Sequence, residues 1–568
     1  MVLAMSLPDV STVQAQSLSA KTFTDCPTFS ELRTAILHDR IVIFDLEKEC
    51  TVSFEEELLI GGFAIIRNIG EGKLTFDGNN NDGDADNDTN FFSVSGGGLE
   101  LVNLTLANGK TILGGAISVY SGSMKLDRVV LRNNKANAQG GAIYFAGGDI
   151  DIRNSYFYAN ATTEEPTGTT GDGGAIYASN FGQTSRVFLL NTTFEQNKTG
   201  DSLFDGSGRG GAIYVYDVYG ALLVNIFNST FYRNSTGNSP NGDVGDGGAI
   251  YANNFDGAAS LNIYHSTFSG NATGSTFTGT PGDGQTIYLR ESSLNMAGSI
   301  LANSRSSFGG AGEDCDFRGD VSISDGGYNL IESMGSCRDY FPRSTELDPG
   351  LETGLANHGG DTKTVALLTN SPAVDQIPFD ASFQGINLCG FDYADFDQRG
   401  EPRPGNDRCD IGAYEIVDED HPHVLPYTGF PQGFLTELSS PEILYSALGA
   451  DSGGMQLVIP VLDVNAQIVG VPETNGEWQV EWLGSDVGYL EGTTFPTWQG
   501  NSVLTGHAYN HLGQPGVFAD LDQLRYNDTI TIQAWGQKYV YAVRVRYVTS
   551  ENDLAVMDHS DQTQLTLI

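Results

Sequence analysis

Short runs in which apolar and polar positions alternate, broken at Gly, Asn, Asp and Ser, fill most of the chain. That is the pattern of many short strands. One early stretch differs. Across 28–38, Leu32, Ala35 and Ile36 share one face at helical spacing, and Thr28 with Glu31 forms a capping-box pattern, so a short helix is expected there. From about residue 100 the strand pattern becomes a repeat. Gly-Gly-Ala-Ile stands at 114–117, 140–143, 173–176, 210–213 and 247–250, with a variant, Gly284-Gln285-Thr286-Ile287. A second motif follows it: Asn154–Asn160, Asn191–Asn197, Asn228–Asn234 and His265–Asn271, each with Phe three residues before its last Asn. These four copies are in step at 37 residues; earlier copies end at Asn108 and Asn134, 26 apart, and a later one at Asn303.

A repeat of this length is one coil of a solenoid. Two glycines permit the positive φ of a tight corner. Ala and Ile, at alternate positions of a strand, are expected to point one inward and one outward. Phe157, Phe194, Phe231 and Phe268 recur in one register and can stack inside as an aromatic ladder. Asn160, Asn197, Asn234 and Asn271 are expected at left-handed turns, bonded to the next coil. The expected fold is all-β: a right-handed parallel β-helix with an N-terminal helical cap, because the apolar end of a solenoid needs a lid. The spacing of 37 exceeds a 26-residue coil by 11 residues, which fall in four 12-residue loops at 161–172, 198–209, 235–246 and 272–283. Insertions at one register project from one face, so these loops are the candidate surface for a cell-surface or extracellular ligand; plain loop decoration is the alternative.

Composition narrows the function. The 568 residues carry a net charge of −42 with only 29 Lys and Arg, which excludes a nucleic-acid partner. No stretch approaches the ~20 apolar residues of a membrane span. Met1 to Gln16 has a short apolar patch and a Val13-Gln14-Ala15 triplet resembling a signal-peptidase site, and reads as a residual export signal. Six cysteines, Cys26, Cys50, Cys315, Cys337, Cys389 and Cys409, suit disulfides in an oxidising compartment. Sequence neighbours form three pairs with loops of about 20 residues, although six cysteines allow 15 pairings. In the acidic run 77–88, Asp82, Asp84, Asp86 and Asp88 alternate as oxygen ligands for a hard cation such as calcium, with no Gly or Glu where an EF-hand needs them. A solvated acidic loop explains the same run.

Gly-Gly-Ala-Ile with Phe-x-x-Asn resembles the polymorphic outer-membrane protein repeat of bacterial adhesins. The segment after it resembles a choice-of-anchor Q domain through Asp325–Leu330, Asp348–Leu351, Asn357–Gly360, Ser371–Asp375, Asp397–Gly400 and Asp410–Glu415. Within it, Asp397, Arg399 and Arg403 read either as a catalytic cluster or as ion pairs stapling the last coil. Leu425-Pro426-Tyr427-Thr428-Gly429 matches the Leu-Pro-x-Thr-Gly signal that sortases cleave between Thr and Gly, without the apolar span and basic tail of a sorting signal. The remainder resembles a class E-type sortase: Leu457–Leu462, Ile468–Pro472, Trp482–Gly484, Gly488–Gly492, Gly500–His507 and Leu565–Ile568. The resemblance implies a β-barrel, a Cys thiolate that attacks the Thr carbonyl, a His that protonates the leaving amine, and an Arg that holds the oxyanion. It places the His at His507. The Cys is expected after a Thr-Leu-x-Thr run, and the sequence stops at Thr566-Leu567-Ile568, so the domain reads as incomplete, without its Cys and Arg.

The expected organisation is therefore a residual export signal at 1–20, a cap with first coils at 21–99, β-helix repeats at 100–310, final coils of choice-of-anchor Q type at 311–416, a linker with the Leu-Pro-Tyr-Thr-Gly motif at 417–454, and a sortase-like domain at 455–568. Three functions fit: a bacterial cell-surface adhesin or passenger fused to a sortase-like module; a polysaccharide lyase or glycosidase on the same β-helix; or an active sortase acting on a sorting-signal peptide. A lyase needs clustered Lys and Arg or paired carboxylates in a groove, whereas Arg132, Arg153 and Arg233 are scattered. No cofactor beyond calcium is suggested.

Overall fold

The computed structural model describes residues 20–79, 89–163, 170–204, 206–306, 312–379, 381–389, 396–401, 403 and 408–416, then strands and turns between 455 and 544, and 563–568. The chain forms two compact units: Met1–Ile377 with Asp397–Glu401 and Asp410–Glu415, and Pro378–Phe396 with Pro402–Cys409 and Ile416–Ile568.

The first unit is a parallel β-helix. Each full coil has three strands, and each strand pairs in parallel with its counterpart one coil away. Ile176–Phe181, Thr184–Leu190 and Thr193–Glu195 pair with Ile213–Val218, Ala221–Phe227 and Thr230–Tyr232. The lid is the helix Phe29–His38, which buries Phe29, Leu32, Ala35 and Ile36. Its start is fixed by a complete capping box between Thr28 and Glu31. A disulfide from Cys26 to Cys50, with Cα atoms 5.3 Å apart, ties its entry to the coil below. Cys315–Cys337 and Cys389–Cys409 are also bonded, so all six cysteines pair with their sequence neighbours.

Inside, Phe157, Phe194, Phe231 and Phe268 stack with centroids 4.6, 4.7 and 4.5 Å apart, close to the ~4.8 Å separation of strands. Beside them runs a column of fully buried amides. The Asn197 side chain donates to the Phe157 carbonyl at 3.0 Å and to Asn234 Oδ1 at 2.9 Å. Its own Oδ1 accepts from the backbone N–H and the side chain of Asn160 at 3.0 and 2.9 Å. Every amide atom is therefore satisfied in an interior where an unpaired one costs about 1–3 kcal/mol. The column runs through Asn134, Asn160, Asn197, Asn234 and Asn271.

Three expectations from sequence need correction. The left-handed residues are not the ladder asparagines but those before them, such as Gln196 (φ 54°) and Arg233 (φ 53°), and those opening the motif, such as Asn191 (φ 52°). Tilting the preceding residue is what turns the Asn side chain inward. Asn108 and Asn303 belong to that left-handed position, with φ of 60° and 56°. Their ladder places fall to Gly109, whose N–H donates to Asn134 Oδ1, and to Ser304, which is buried. Finally, Ala and Ile of Gly-Gly-Ala-Ile are both buried, because Ala lies in the corner ahead of the strand and escapes the alternation that begins at Ile. The two glycines also differ. Gly210 has a φ of +66°, whereas a Cβ on Gly211 would lie 2.1 Å from the Gly248 carbonyl oxygen, so only the first supplies the turn and the second permits coils to approach.

Residues beyond the last coil return along the third strand column and cover its outward threonines. Thr193 Oγ1 donates to the Lys363 carbonyl at 2.7 Å, Thr230 Oγ1 to Gln398 Oε1 at 2.6 Å, and the Ala413 N–H donates to Thr267 Oγ1 at 2.9 Å. Lys363 Nζ sits 3.2 Å from Glu195.

In the second unit, seven strands form one curled sheet, a nearly closed barrel, ordered Gln537–Ala542, Thr529–Ala534, Gln456–Ile459, Val464–Val471, Val487–Leu490, Gly500–Thr505, Thr563–Leu567. Leu457, Ile459, Ile468, Val487, Leu504 and Ile532 fill its interior.

Asn197→Ala removes the donor to the Phe157 carbonyl and the acceptor of two Asn160 donors. It is expected to destabilise the first unit by about 2–5 kcal/mol. Asn303→Ala, at an exposed site outside the column, is expected to change stability by less than about 1 kcal/mol. Denaturant titration of both variants measures the difference; equal effects would refute the ladder's role.

Candidate functional site

The strand Gly500–Thr505 runs antiparallel to Val487–Leu490 on one side and parallel to Thr563–Leu567 on the other. The parallel pair is held by backbone bonds and by Thr566 Oγ1 donating to Asn501 Oδ1 at 2.6 Å. Two residues past the strand comes His507. The turn that carries it is pinned from below: the Phe518 N–H donates to the His507 carbonyl at 3.1 Å, and the Phe518 ring is part of the barrel core. A Cβ on Gly516 would lie 2.0 Å from that carbonyl oxygen, so a side chain there would displace the turn. His507 as a residue is half-buried.

The neighbouring strand reaches the same place. Leu567 is opposite Leu504, the Ile568 N–H donates to the Leu504 carbonyl at 2.9 Å, and the Gly506 N–H donates to the Ile568 carbonyl at 3.2 Å. The C-terminal end of Thr563–Leu567 is thus directed along the backbone at Gly506–His507. In a parallel pair, groups at equivalent ends of neighbouring strands lie about 5 Å apart across the sheet. An imidazole beside that strand end can move a proton to or from a group held there.

Other sequence-predicted residues fall elsewhere. Leu425, Pro426, Tyr427, Thr428 and Gly429 lie outside the described residues, as do Asp82, Asp84, Asp86 and Asp88. Among the described residues there is no group of three or more His, Cys, Asp or Glu able to hold a metal, and no helix long and apolar enough to cross a membrane. Asp397 and Arg399 form a buried ion pair at 2.7 Å, and Asp397 also accepts the Glu415 N–H at 2.9 Å. The Arg399 guanidinium lies 3.6 Å from the Tyr414 ring centroid. This arrangement staples the returning segment to itself. Arg403 is fully buried.

Where they are described, the loops at 198–209, 235–246 and 272–283 stack coil on coil. Thr199, Thr236 and Thr273 each donate across the neck of their own loop, to the carbonyls of Gly208, Gly245 and Gly282 at 2.9, 2.9 and 3.1 Å. The hydroxyls of Thr199 and Thr236 also accept an N–H from the next loop, from Gly237 and Gly274 at 2.8 and 2.9 Å. The loops are therefore one hydrogen-bonded ridge.

Sequence reasoning missed a second ladder. A tyrosine follows four of the five Gly-Gly-Ala-Ile copies and the variant, and Tyr144, Tyr177, Tyr214, Tyr251 and Tyr288 stack with centroids 5.1–5.6 Å apart in a cluster of their own, the last four of them buried. The fixed Ile-Tyr pair was its signal. Along its edge, Asp172, Arg209 and Asp246 occupy the position before the glycine pairs at 173, 210 and 247, and Asp283 the same position before Gly284-Gln285. The Arg209 N–H donates to Asp172 at 2.8 Å and its guanidinium lies 3.8 Å from Asp246. Burial pushes the carboxyls of Asp172 and Asp246 up to about 6. Burial likewise raises Asp314, which accepts from Ser304 Oγ at 2.5 Å, to about 7.

Comparison with known proteins agrees with both halves. Residues 457–568 match the sortase domain, and residues 128–146 and 191–216 match the Chlamydia polymorphic membrane protein repeat. Among solved structures, a lid mutant of sortase A from Corynebacterium diphtheriae aligns at 24% identity and a TM-score of 0.17, covering 20% of this chain and 59% of that one. The sortase D5 transpeptidase of Clostridium perfringens aligns at 21% identity and a TM-score of 0.18, covering 23% of this chain and 78% of that one. No curated protein matches the chain.

The raised carboxyls set a pH dependence. Their folded pKa values exceed the ordinary value near 4, so the folded chain holds protons that the unfolded chain releases, and stability falls as pH rises from about 4 through 7. The melting temperature of the first unit is expected to be higher at about pH 5 than at about pH 8. Asp314→Asn is expected to narrow that gap. Calorimetry at both pH values decides; a gap of the opposite sign rejects the assignment.

Proposed function

We propose that the chain is an exported bacterial cell-surface protein of adhesin or passenger type. Its β-helix displays the loop ridge to a ligand, and its C-terminal module is a sortase-type transpeptidase in which His507 transfers the proton. Residues 322–416 are read as a choice-of-anchor Q segment and 455–568 as class E-type, on the motifs quoted above. The single observation that carries the enzymatic part is the meeting of Gly506–His507 with the end of Thr563–Leu567.

A thiol at that strand end would face the imidazole. The thiolate attacks the Thr carbonyl carbon of a Leu-Pro-x-Thr-Gly peptide, forming a C–S bond. The C–N bond to Gly then breaks as His507 gives its proton to the leaving amine. An incoming amine attacks the thioester, returns a proton to His507 and releases the thiolate. All six cysteines of this sequence are bonded in disulfides, so the nucleophile is not one of them. Leu425–Gly429 is proposed as a substrate-like segment for the same groove.

The second reading, a polysaccharide-active β-helix, has one observation in its favour: Asp172 and Asp246, with raised pKa values, flank Arg209 beside an aromatic ladder. Release of oligosaccharides from an acidic polysaccharide by residues 20–416 would establish it.

The coding frame read past Ile568, and expressed as the continued chain, tests the enzymatic reading. It is expected to supply a Cys, to form a thioester with a Leu-Pro-x-Thr-Gly peptide and to join that peptide to an added amine. His507→Ala should slow the joining about 10²–10⁴-fold. A continued chain that forms no thioester, seen by mass spectrometry, overturns it.

A further inference from the structure

The last coil has one corner unlike its predecessors. Asn154, Asn191, Asn228, His265 and Gly298 hold that corner on successive coils, each N–H donating to the carbonyl just before its counterpart. Their φ values lie between 45° and 61°. Asn, His and Gly are types that tolerate the left-handed region. The next place in the column is marked by the Gly298 N–H donating to the Gly327 carbonyl at 3.2 Å, and Tyr328 fills it at a φ of 54°. A bulky ring there is strained, and strain of this kind persists where a site uses the side chain.

Tyr328 lines a cavity of about 240 Å³ where the last coil meets the returning segment. Leu330, Leu347, Pro372 and Ile411 supply apolar walls, Arg343 is its one charged residue, and no acidic residue lines it. Among the described residues, neither the Tyr328 hydroxyl nor the Arg343 guanidinium has a hydrogen-bond or ion-pair partner. That is notable in a chain where 71 Asp and Glu face 29 Lys and Arg. The backbone carrying both residues is fixed by one carboxylate. Asp325 Oδ1 accepts from the Gly327 N–H, the Asn329 side chain and Ser344 Oγ at 2.9, 3.1 and 2.8 Å, and its Oδ2 accepts the Arg343 N–H at 2.6 Å. The Thr345 N–H donates to the Asn329 carbonyl and, on the returning segment, the Ile411 N–H to the Ala373 carbonyl, both at 2.9 Å. Walls held this way before a ligand arrives lose little freedom when it binds.

The lining selects the ligand. With Asp325 taken up by four donors, the Arg343 charge is left for a group from outside, and the planar guanidinium suits a carboxylate through paired N–H donors. Apolar walls around a single cation fit a compact apolar body behind that carboxylate. We propose that this cavity binds a small organic carboxylate, with Arg343 holding the carboxylate, Tyr328 donating its hydroxyl to it, and the apolar walls covering the rest. The site depends on neither the ligand ridge nor the sortase reading.

The test uses the full chain with benzoate, benzamide, benzylamine and inorganic phosphate as probes. Isothermal titration is expected to show saturable benzoate binding at least about tenfold tighter than benzamide, because only the ion takes charge-assisted bonds. Benzylamine should not bind. Arg343→Gln, at an exposed position, should bring benzoate down to the benzamide level with an unchanged melting temperature. Tyr328→Asn installs a residue type that three earlier corners carry. It should weaken benzoate at least about fivefold and leave the melting temperature unchanged or raised, since the strain is relieved. The absence of saturable benzoate binding overturns the proposal, as does equal benzoate binding by wild type and Arg343→Gln. Phosphate binding tighter than benzoate overturns the carboxylate assignment. A Tyr328→Asn chain that melts lower yet binds benzoate like wild type makes the tyrosine a packing residue and overturns its place in the site.

Discussion

The buried amide column governs the β-helix. Each Asn is saturated only when the coil before it offers a carbonyl and the coil after it offers an Oδ1 at the same register. A slip of one residue would turn the whole set of side chains to the other face and strand buried amides, each an expensive loss in a dry interior. The phenylalanine stack and the paired glycines are consequences of the same register. Phe can stack on Phe, and a glycine can meet a carbonyl oxygen, only because successive coils superpose at that column.

That superposition also orders what lies outside it. A 12-residue insertion on one coil would be a free loop. At one register, in the described loops, they become a ridge, because Thr199 and Thr236 each have a carbonyl to donate to in their own loop and an N–H to accept from the next. The outer tyrosines and the charged residues at their edge are stacked by the same repeat. The fold thus turns sequence periodicity into continuous stripes along the coils: a largely buried aromatic one, and an ionic one at its edge. The third strand column is unavailable to a partner, since the returning segment caps its threonines.

The barrel follows a different logic. No repeat sets its register; a tightly packed interior does, with Phe518 reaching from the core to fix the turn at His507. His507 lies next to Thr563–Leu567 because two strands, far apart in sequence, run parallel in one register.

Much of this was legible from residues alone. The 37-residue period determined the parallel coils, the Phe column, the equal loops and their common face, because superposition follows from spacing. The capping box determined the lid helix, and the neighbour spacing of the cysteines anticipated the three disulfides. Position within the coil was less legible. Which residue of Gln196-Asn197 carries the left-handed φ, and why Asn303 yields its ladder place to Ser304, depend on how the corner is tilted, a property spread over several residues. The sequence likewise marked His507 by its motif, but it could not show what lies beside that motif. Only tertiary structure brings Gly506 and Ile568 within hydrogen-bonding distance, since strand pairing across sixty-odd residues is decided by closure of the sheet and not by local propensity.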